Sequence, residues 1–154
     1  MTIEDDITFL ERVPVLRRLG AGALRIIAIG AENLSLRAGQ VLFTAGDTAD
    51  GAFVVQSGSF SLKPERAGEH ELVAEAGTLL GESALLAETR RPATATAREN
   101  STVLRISRVM FLKMLEGYPD AAQRMRDMIA ARTDQWAREV ENVRAALGTG
   151  GKPL

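Results

Sequence analysis

The residue types best suited to holding a ligand fall in one run, Gly77-Thr78-Leu79-Leu80-Gly81-Glu82-Ser83-Ala84-Leu85-Leu86, continued by Ala87-Glu88-Thr89-Arg90-Arg91-Pro92-Ala93-Thr94-Ala95-Thr96-Ala97. Small side chains are concentrated there. Gly81 lets another group approach the backbone closely, and Ser83 to Leu86 read as a short helical turn whose first N–H groups point outward, unpaired. Such an end is a natural cradle for a phosphate. Arg91 adds a permanent cation whose planar donor fork matches phosphate oxygens, and Glu82 adds an acceptor for ribose hydroxyls. The two together describe a sugar phosphate. A Gly-Glu pair with an arginine downstream is, taken alone, also what an ordinary surface salt bridge looks like, so the weight rests on order and context.

Those residues need a frame, and the hydrophobic pattern supplies one. Ile7, Leu10, Val13, Leu16 and Leu19, then Leu24, Ile27 and Ala28, recur at helical spacing. Residues 1–33 therefore read as two or three short helices, punctuated by Pro14 and by Gly20-Ala21-Gly22. From Leu34 to Ser107 the pattern changes to short β segments between glycine-containing turns, a mainly β unit with flanking helices that suits a compact roll or barrel. Strands are expected at Phe53 to Gln56, Phe60 to Lys63, Leu72 to Glu75, Ala93 to Arg98 and Val103 to Ser107. Phe60 and Leu62 alternate with Ser61 and Lys63, which puts the two apolar residues on the core face. The polar loop Pro64 to His70 reads as a hairpin connection.

Ser107 is a good N-cap for a helix through Met110, Phe111, Met114 and Leu115 that stops at Gly117. A second helix begins at Pro119, with Asp120 in its first turn, and is read as running to Leu147. Residues 108–147 thus form C-terminal helices, residues 1–147 one domain, and residues 148–154 a frayed glycine-rich tail. Ala122, Ile129, Trp136 and Val143 fall at heptad intervals, accompanied by Met125, Val140 and Leu147. That stripe serves either packing against the chain's own body or a helix-to-helix homodimer seam.

The ligand-bearing run resembles the phosphate-binding cassette of the cyclic nucleotide-binding domain family, to which catabolite activator protein and the regulatory subunit of cyclic AMP-dependent protein kinase belong. The family pattern of an apolar residue, Gly-Glu, a small apolar helix, a short loop, Arg, a small residue, Ala and an alternating strand is matched by Leu80, Gly81-Glu82, Ser83 to Leu86, Ala87 to Arg90, Arg91, Pro92, Ala93 and Thr94 to Ala97. Ala38-Gly39-Gln40-Val41-Leu42-Phe43, Ala45-Gly46-Asp47 and Phe53-Val54-Val55-Gln56-Ser57-Gly58 look like further family landmarks. The resemblance implies a double-stranded β-helix, a jelly-roll-like β-roll with an N-terminal helical cap and C-terminal helices. It also implies that Arg91 pairs with a cyclic phosphate, that Glu82 binds the ribose 2′-hydroxyl, and that the backbone of Gly81, Ser83 and Ala84 completes the cradle, with Ala93 adding a donor. Pro92 departs from the pattern, because it offers neither a hydroxyl nor an N–H. Guanine-preferring relatives often carry a threonine at that place, which tilts the expected ligand from cyclic GMP toward cyclic AMP. Leu72, Val73 and Ala74 serve either as strand core or as an apolar wall for the purine. Met128 and Trp136 are candidates to cover the base, with core or dimer packing as the other use of the tryptophan.

Composition removes most other classes. The chain has 154 residues, enough for one core, and its 19 basic residues nearly cancel its 20 acidic ones, so there is no global attraction to nucleic acid. Without cysteine there is no disulfide, thiolate metal site or cysteine nucleophile, and a reducing compartment, the cytoplasm, is the expected location. The acidic start, Met1 to Asp6, lacks the parts of a signal peptide, and no apolar run spans a bilayer. One histidine, His70, in a charged loop, does not make a cupin-like metal site, and no nucleophile or triphosphate-loop signature occurs. The expected molecule is a non-enzymatic sensor without metal that signals to an unknown effector protein. Gly148 to Leu154 cannot form a DNA-reading helix pair, so direct DNA binding is not expected.

Overall fold

Thr2 starts the chain's first helix, because its hydroxyl accepts from Asp5 N–H (3.1 Å) while the Asp5 carboxylate accepts from Thr2 N–H (3.2 Å). This reciprocal cap satisfies donors that a helix start otherwise leaves open, and it lowers the Asp5 pKa. The computed structural model describes residues 2–65, 70–128 and 130–131. Helix α1 (Ile3–Leu10) is followed by a 3-10 turn (Leu16–Leu19) and α2 (Ala21–Gly30). Gly22 lies inside α2 instead of breaking it, contrary to the sequence expectation. The reason is tertiary: a Cβ on Gly22 would stand 2.8 Å from Tyr118 Cε1, and one on Gly30 2.8 Å from Met110 Cγ. The two glycines let α3 (Arg108–Gly117) lie close along α2.

Ten strands follow α2. They are β1 (Glu32–Leu36), β2 (Val41–Phe43), β3 (Thr48–Ala49), β4 (Gly51–Ser57), β5 (Ser59–Pro64), β6 (Leu72–Glu75), β7 (Leu79–Leu80), β8 (Thr89–Arg90), β9 (Ala93–Ala97) and β10 (Ser101–Ser107). One antiparallel sheet has the order β1-β10-β4-β7, a second β2-β9-β5-β6, and β3 pairs with β8. The roll expected from the turn spacing is present. β1 begins at Glu32, two residues before the expected boundary, where its ladder partner Arg105 reaches Glu32 Oε1 (3.1 Å) and Asp50 Oδ2 (2.8 Å). β8 occupies residues read from the sequence as loop.

β4 explains how two cores share one sheet. Ala52 and Val54 face a helical cluster with Leu10, Leu24, Ile27, Leu85, Leu104, Ile106 and Phe111, while Phe53 and Val55 face the roll interior with Phe60, Ala74, Ala95 and Val103. Burial on both faces gives an unbroken apolar run without alternation. Phe60 is fully buried and Leu62 packs at the same cluster's edge, as their alternation predicts.

Ser107 caps α3 by accepting from Met110 N–H (3.2 Å), and the helix ends at Gly117. Residues 119–128 are helical, and there Ala121 and Met125 are buried against the helical cluster with Met128 beside them. Of the apolar stripe read from the sequence, Met125 is buried and Ala122 half-buried, and the neighbouring Ala121 joins the packed face. Ile129, Trp136, Val140, Val143 and Leu147 lie outside the described residues. Among the described residues, no helix is long and apolar enough to cross a membrane, and no group of three His, Asp or Glu could hold a metal ion.

Candidate functional site

Arg91 is placed first by its backbone. Its N–H donates to Asp47 O (2.8 Å), its carbonyl accepts from Gly46 N–H (2.8 Å), and Pro92 behind it confines it to extended conformations. β3 and β8 pair alongside, Thr48 opposite Arg90 and Ala49 opposite Thr89. The Arg91 side chain enters the roll, where it is only 5% exposed. Its Cζ lies 4.5 Å from the centre of the Phe43 ring and 5.4 Å from that of Phe53. The two rings, 5.9 Å apart and inclined by 27°, make one platform beneath the guanidinium.

Nη1 of Arg91 is buried without a hydrogen-bond partner, the one such side-chain atom among the described residues. Burial pushes the Arg91 pKa down from its ordinary value, Asp50 and Asp47 push it up, and Arg105 opposes them. A buried donor left unpaired costs about 1–3 kcal/mol, more when charged. Against this nitrogen sits Gly81 in the left-handed region (φ 81°, ψ 37°). A Cβ there would collide with Nη1 and stand 3.5 Å from Gly51 O. The close approach expected of Gly81 is therefore real, and the group that approaches is the Arg91 guanidinium.

Gly81 opens a 3-10 turn (Glu82–Leu85), close to the expected helical turn but one residue earlier. Glu82 begins it at a half-buried position, and Ser83 is exposed. The N–H of Ala84, expected in the cradle, donates to Gly81 O (3.0 Å) within the turn. Leu86 and Ala87 N–H both close on Ser83 O (3.3 Å each). The far side of the turn is anchored, because Leu85 enters the helical cluster and Arg108 Nη1 donates to Ala84 O (3.3 Å) and Ala49 O (3.1 Å). Pro92 is exposed, and Ala93 stands opposite Pro64 at the end of the β5–β9 ladder.

The candidate base contacts separate by strand parity. Leu72 pairs with Leu62, and Leu62 with Ala95, so all three share the inward face, yet Leu72 is 62% exposed. Val73 pairs with Ser61 and Thr96 on the outward face, where it is 50% exposed. Neither is strand core, and Val73 points away from the roll interior. Only Ala74 is core in this trio. Met128 packs at the edge of the helical cluster, which includes Leu85 of the cassette turn, and Trp136 lies outside the described residues. A groove of about 560 Å³ lined by Ser35, Leu36, Arg37, Gln40, Asn100, Ser101 and Thr102 contains none of the cassette residues.

An inward arginine with an unsatisfied nitrogen, laid against a left-handed glycine at the head of a short turn, is a geometry for an anion. The sequence profile described as the cyclic nucleotide-binding domain matches residues 33–118, more than half of the chain. The chain belongs to that family. Such domains are regulatory, not catalytic. A cyclic nucleotide-binding-like protein of Brucella abortus is similar in structure, with a TM-score of 0.64 and 39% identity over 73% of this chain and 98% of that one. The N-terminal domain of a Streptomyces coelicolor transcriptional regulator shares the fold, with a TM-score of 0.78, 24% identity and coverage of 86% and 94%. An uncharacterized NTE family protein of Mycobacterium tuberculosis is 33% identical over 113 residues, which is 73% of this chain and 19% of that protein. A cAMP-dependent protein kinase regulatory subunit of Blastocladiella emersonii is 29% identical over 119 residues, 75% of this chain and 30% of the subunit. The chain thus spans less than a third of these curated relatives.

Within this cyclic nucleotide-binding domain, the sequence pattern brought Gly81, Glu82 and Arg91 to one turn and its neighbour. It missed the work of Phe43 and Phe53, read only as strand landmarks, and of Asp47, Asp50 and Arg108. The available signal was the two aromatic residues at interior strand positions with no partner assigned.

Proposed function

We propose that this chain is a cyclic nucleotide receptor module that takes cyclic AMP in preference to cyclic GMP. Arg91 pairs with the cyclic phosphate, Glu82 accepts from the ribose 2′-hydroxyl, and the backbone of Gly81 and Ser83 lines the approach. Leu72, inward-facing yet open to solvent, is the apolar wall for the purine. The observation that carries this reading is the buried, unpartnered Nη1 of Arg91 beside Gly81, a donor that a phosphate oxygen would satisfy. Cyclic AMP is supported by the named kinase subunits among the relatives and by Pro92, which has no hydroxyl to offer a guanine. No metal takes part. The bound state is transmitted through the 3-10 turn to α3 and the helix after it, and read there by a partner protein. The coupling equals the difference in ligand affinity between two helix arrangements.

Calorimetric titration with both nucleotides tests this. Cyclic AMP should bind the parent protein, and Arg91→Ala should weaken binding by about 2–5 kcal/mol. Unchanged affinity in that variant would remove the phosphate role. A second reading, a module that keeps the fold for dimerisation or protein contact without a ligand, is favoured by the sealing of Arg91 and the spent N–H of Ala84. No thermal shift with either nucleotide would select it.

A further inference from the structure

A guanidinium on a long side chain has many rotamers, and nothing in the backbone bonds of Arg91 fixes where its fork lies. A pair of aromatic rings lies under it. Phe43 ends β2 in one sheet and Phe53 sits in β4 of the other. Cζ of Arg91 stands within cation–π range of both ring centres, 4.5 Å and 5.4 Å. The rings hold the plane of the guanidinium without taking its N–H groups, because a ring face attracts the cation and leaves the donor edges free. A carboxylate in the same place would occupy the fork. The nitrogen turned toward Gly81 is the unpartnered Nη1.

We propose that Phe43 and Phe53 are positioning residues for the phosphate-binding arginine: a two-ring platform joining the two sheets presents the unpaired Nη1 of Arg91, already oriented, to the ligand. This rests on the reading of Arg91 given above. Each ring is assigned a share of ligand affinity that passes only through Arg91, and a packing share that does not.

A double-mutant cycle separates the two. Cyclic AMP affinity is measured by calorimetry for the full chain and for Phe43→Leu, Phe43→Tyr, Arg91→Ala and the Phe43→Leu/Arg91→Ala pair, with Phe53→Leu as a parallel cycle should Phe43→Leu not fold. The expected result is a loss of about 2- to 30-fold for Phe43→Leu, near-parent affinity for Phe43→Tyr, which keeps a ring face, and no further loss when Phe43→Leu is added to Arg91→Ala. Equal losses in both backgrounds would make the rings mere core, and parent affinity in both leucine variants would overturn the platform while leaving Arg91's role intact. Absence of cyclic AMP binding by the parent, or an Arg91→Ala protein that binds like it, would overturn the function and the platform together.

Discussion

Replacing Gly81 by alanine perturbs the site at its tightest point, and the structure contains its own control. Gly81 and Gly77 both have positive φ, 81° and 94°, so alanine at either pays a left-handed backbone cost of about 1–2 kcal/mol. A Cβ on Gly77 meets nothing within 4 Å, whereas one on Gly81 collides with Arg91 Nη1. Relieving the collision moves the guanidinium off its two rings, a loss of about 0.5–2 kcal/mol. Gly81→Ala should therefore be about 1.5–4 kcal/mol less stable than the parent and Gly77→Ala about 1–2. At about 2–4 °C per kcal/mol for a chain of this size, the ~0.5–2 kcal/mol that separates them should set their melting temperatures about 1–8 °C apart in a thermal scan. Cyclic AMP affinity should fall in Gly81→Ala and hold in Gly77→Ala. Equal melting temperatures with parent-like affinity in both would refute the contact between Gly81 and Arg91.

Strand parity makes Leu72 and Val73 a second pair. Leu72→Ser should weaken cyclic AMP binding while Val73→Ser leaves it unchanged, and both should stay within about 0.5 kcal/mol of parent stability in urea titration, since both side chains are exposed. Ser107→Ala removes the α3 cap and should cost about 0.5–2 kcal/mol in the same assay. Arg108→Met deletes the bonds to Ala49 O and Ala84 O, and should speed hydrogen exchange in the 82–85 turn more than in β5. The Asp5 pKa is lowered in the folded state, so its stabilising effect is present above the ordinary carboxylate range and is lost as pH falls through the folded value. The stability difference between the parent and Asp5→Asn, followed by urea titration against pH, should close on acidification.

Much of this was legible in the sequence because local chemistry and tertiary role agree there. β6 has its expected bounds, the Ser107 cap and the Gly117 stop are where helix chemistry puts them, and the cassette glycine meets the cassette arginine. What was illegible depends on long-range contact. Gly22 looks like a breaker until Tyr118 is seen against it. β3 and β8 have only two residues each, too few to carry any alternation, and exist because Arg91 N–H and carbonyl clip onto Asp47 and Gly46. Leu72 and Val73 have the composition of core but sit on an edge strand, so neither face of β6 is fully covered. The platform of Phe43 and Phe53 joins residues ten apart in sequence but in different sheets, and no periodicity reports such a meeting.

The most direct test is the position of the phosphate in a crystal structure of the chain with cyclic AMP. The predicted result is a phosphate oxygen at hydrogen-bond distance, about 2.7–2.9 Å, from the Arg91 fork, with the Glu82 carboxylate on the 2′-hydroxyl. A nucleotide held elsewhere, with Arg91 Nη1 still buried and unpartnered beneath Gly81, would contradict it.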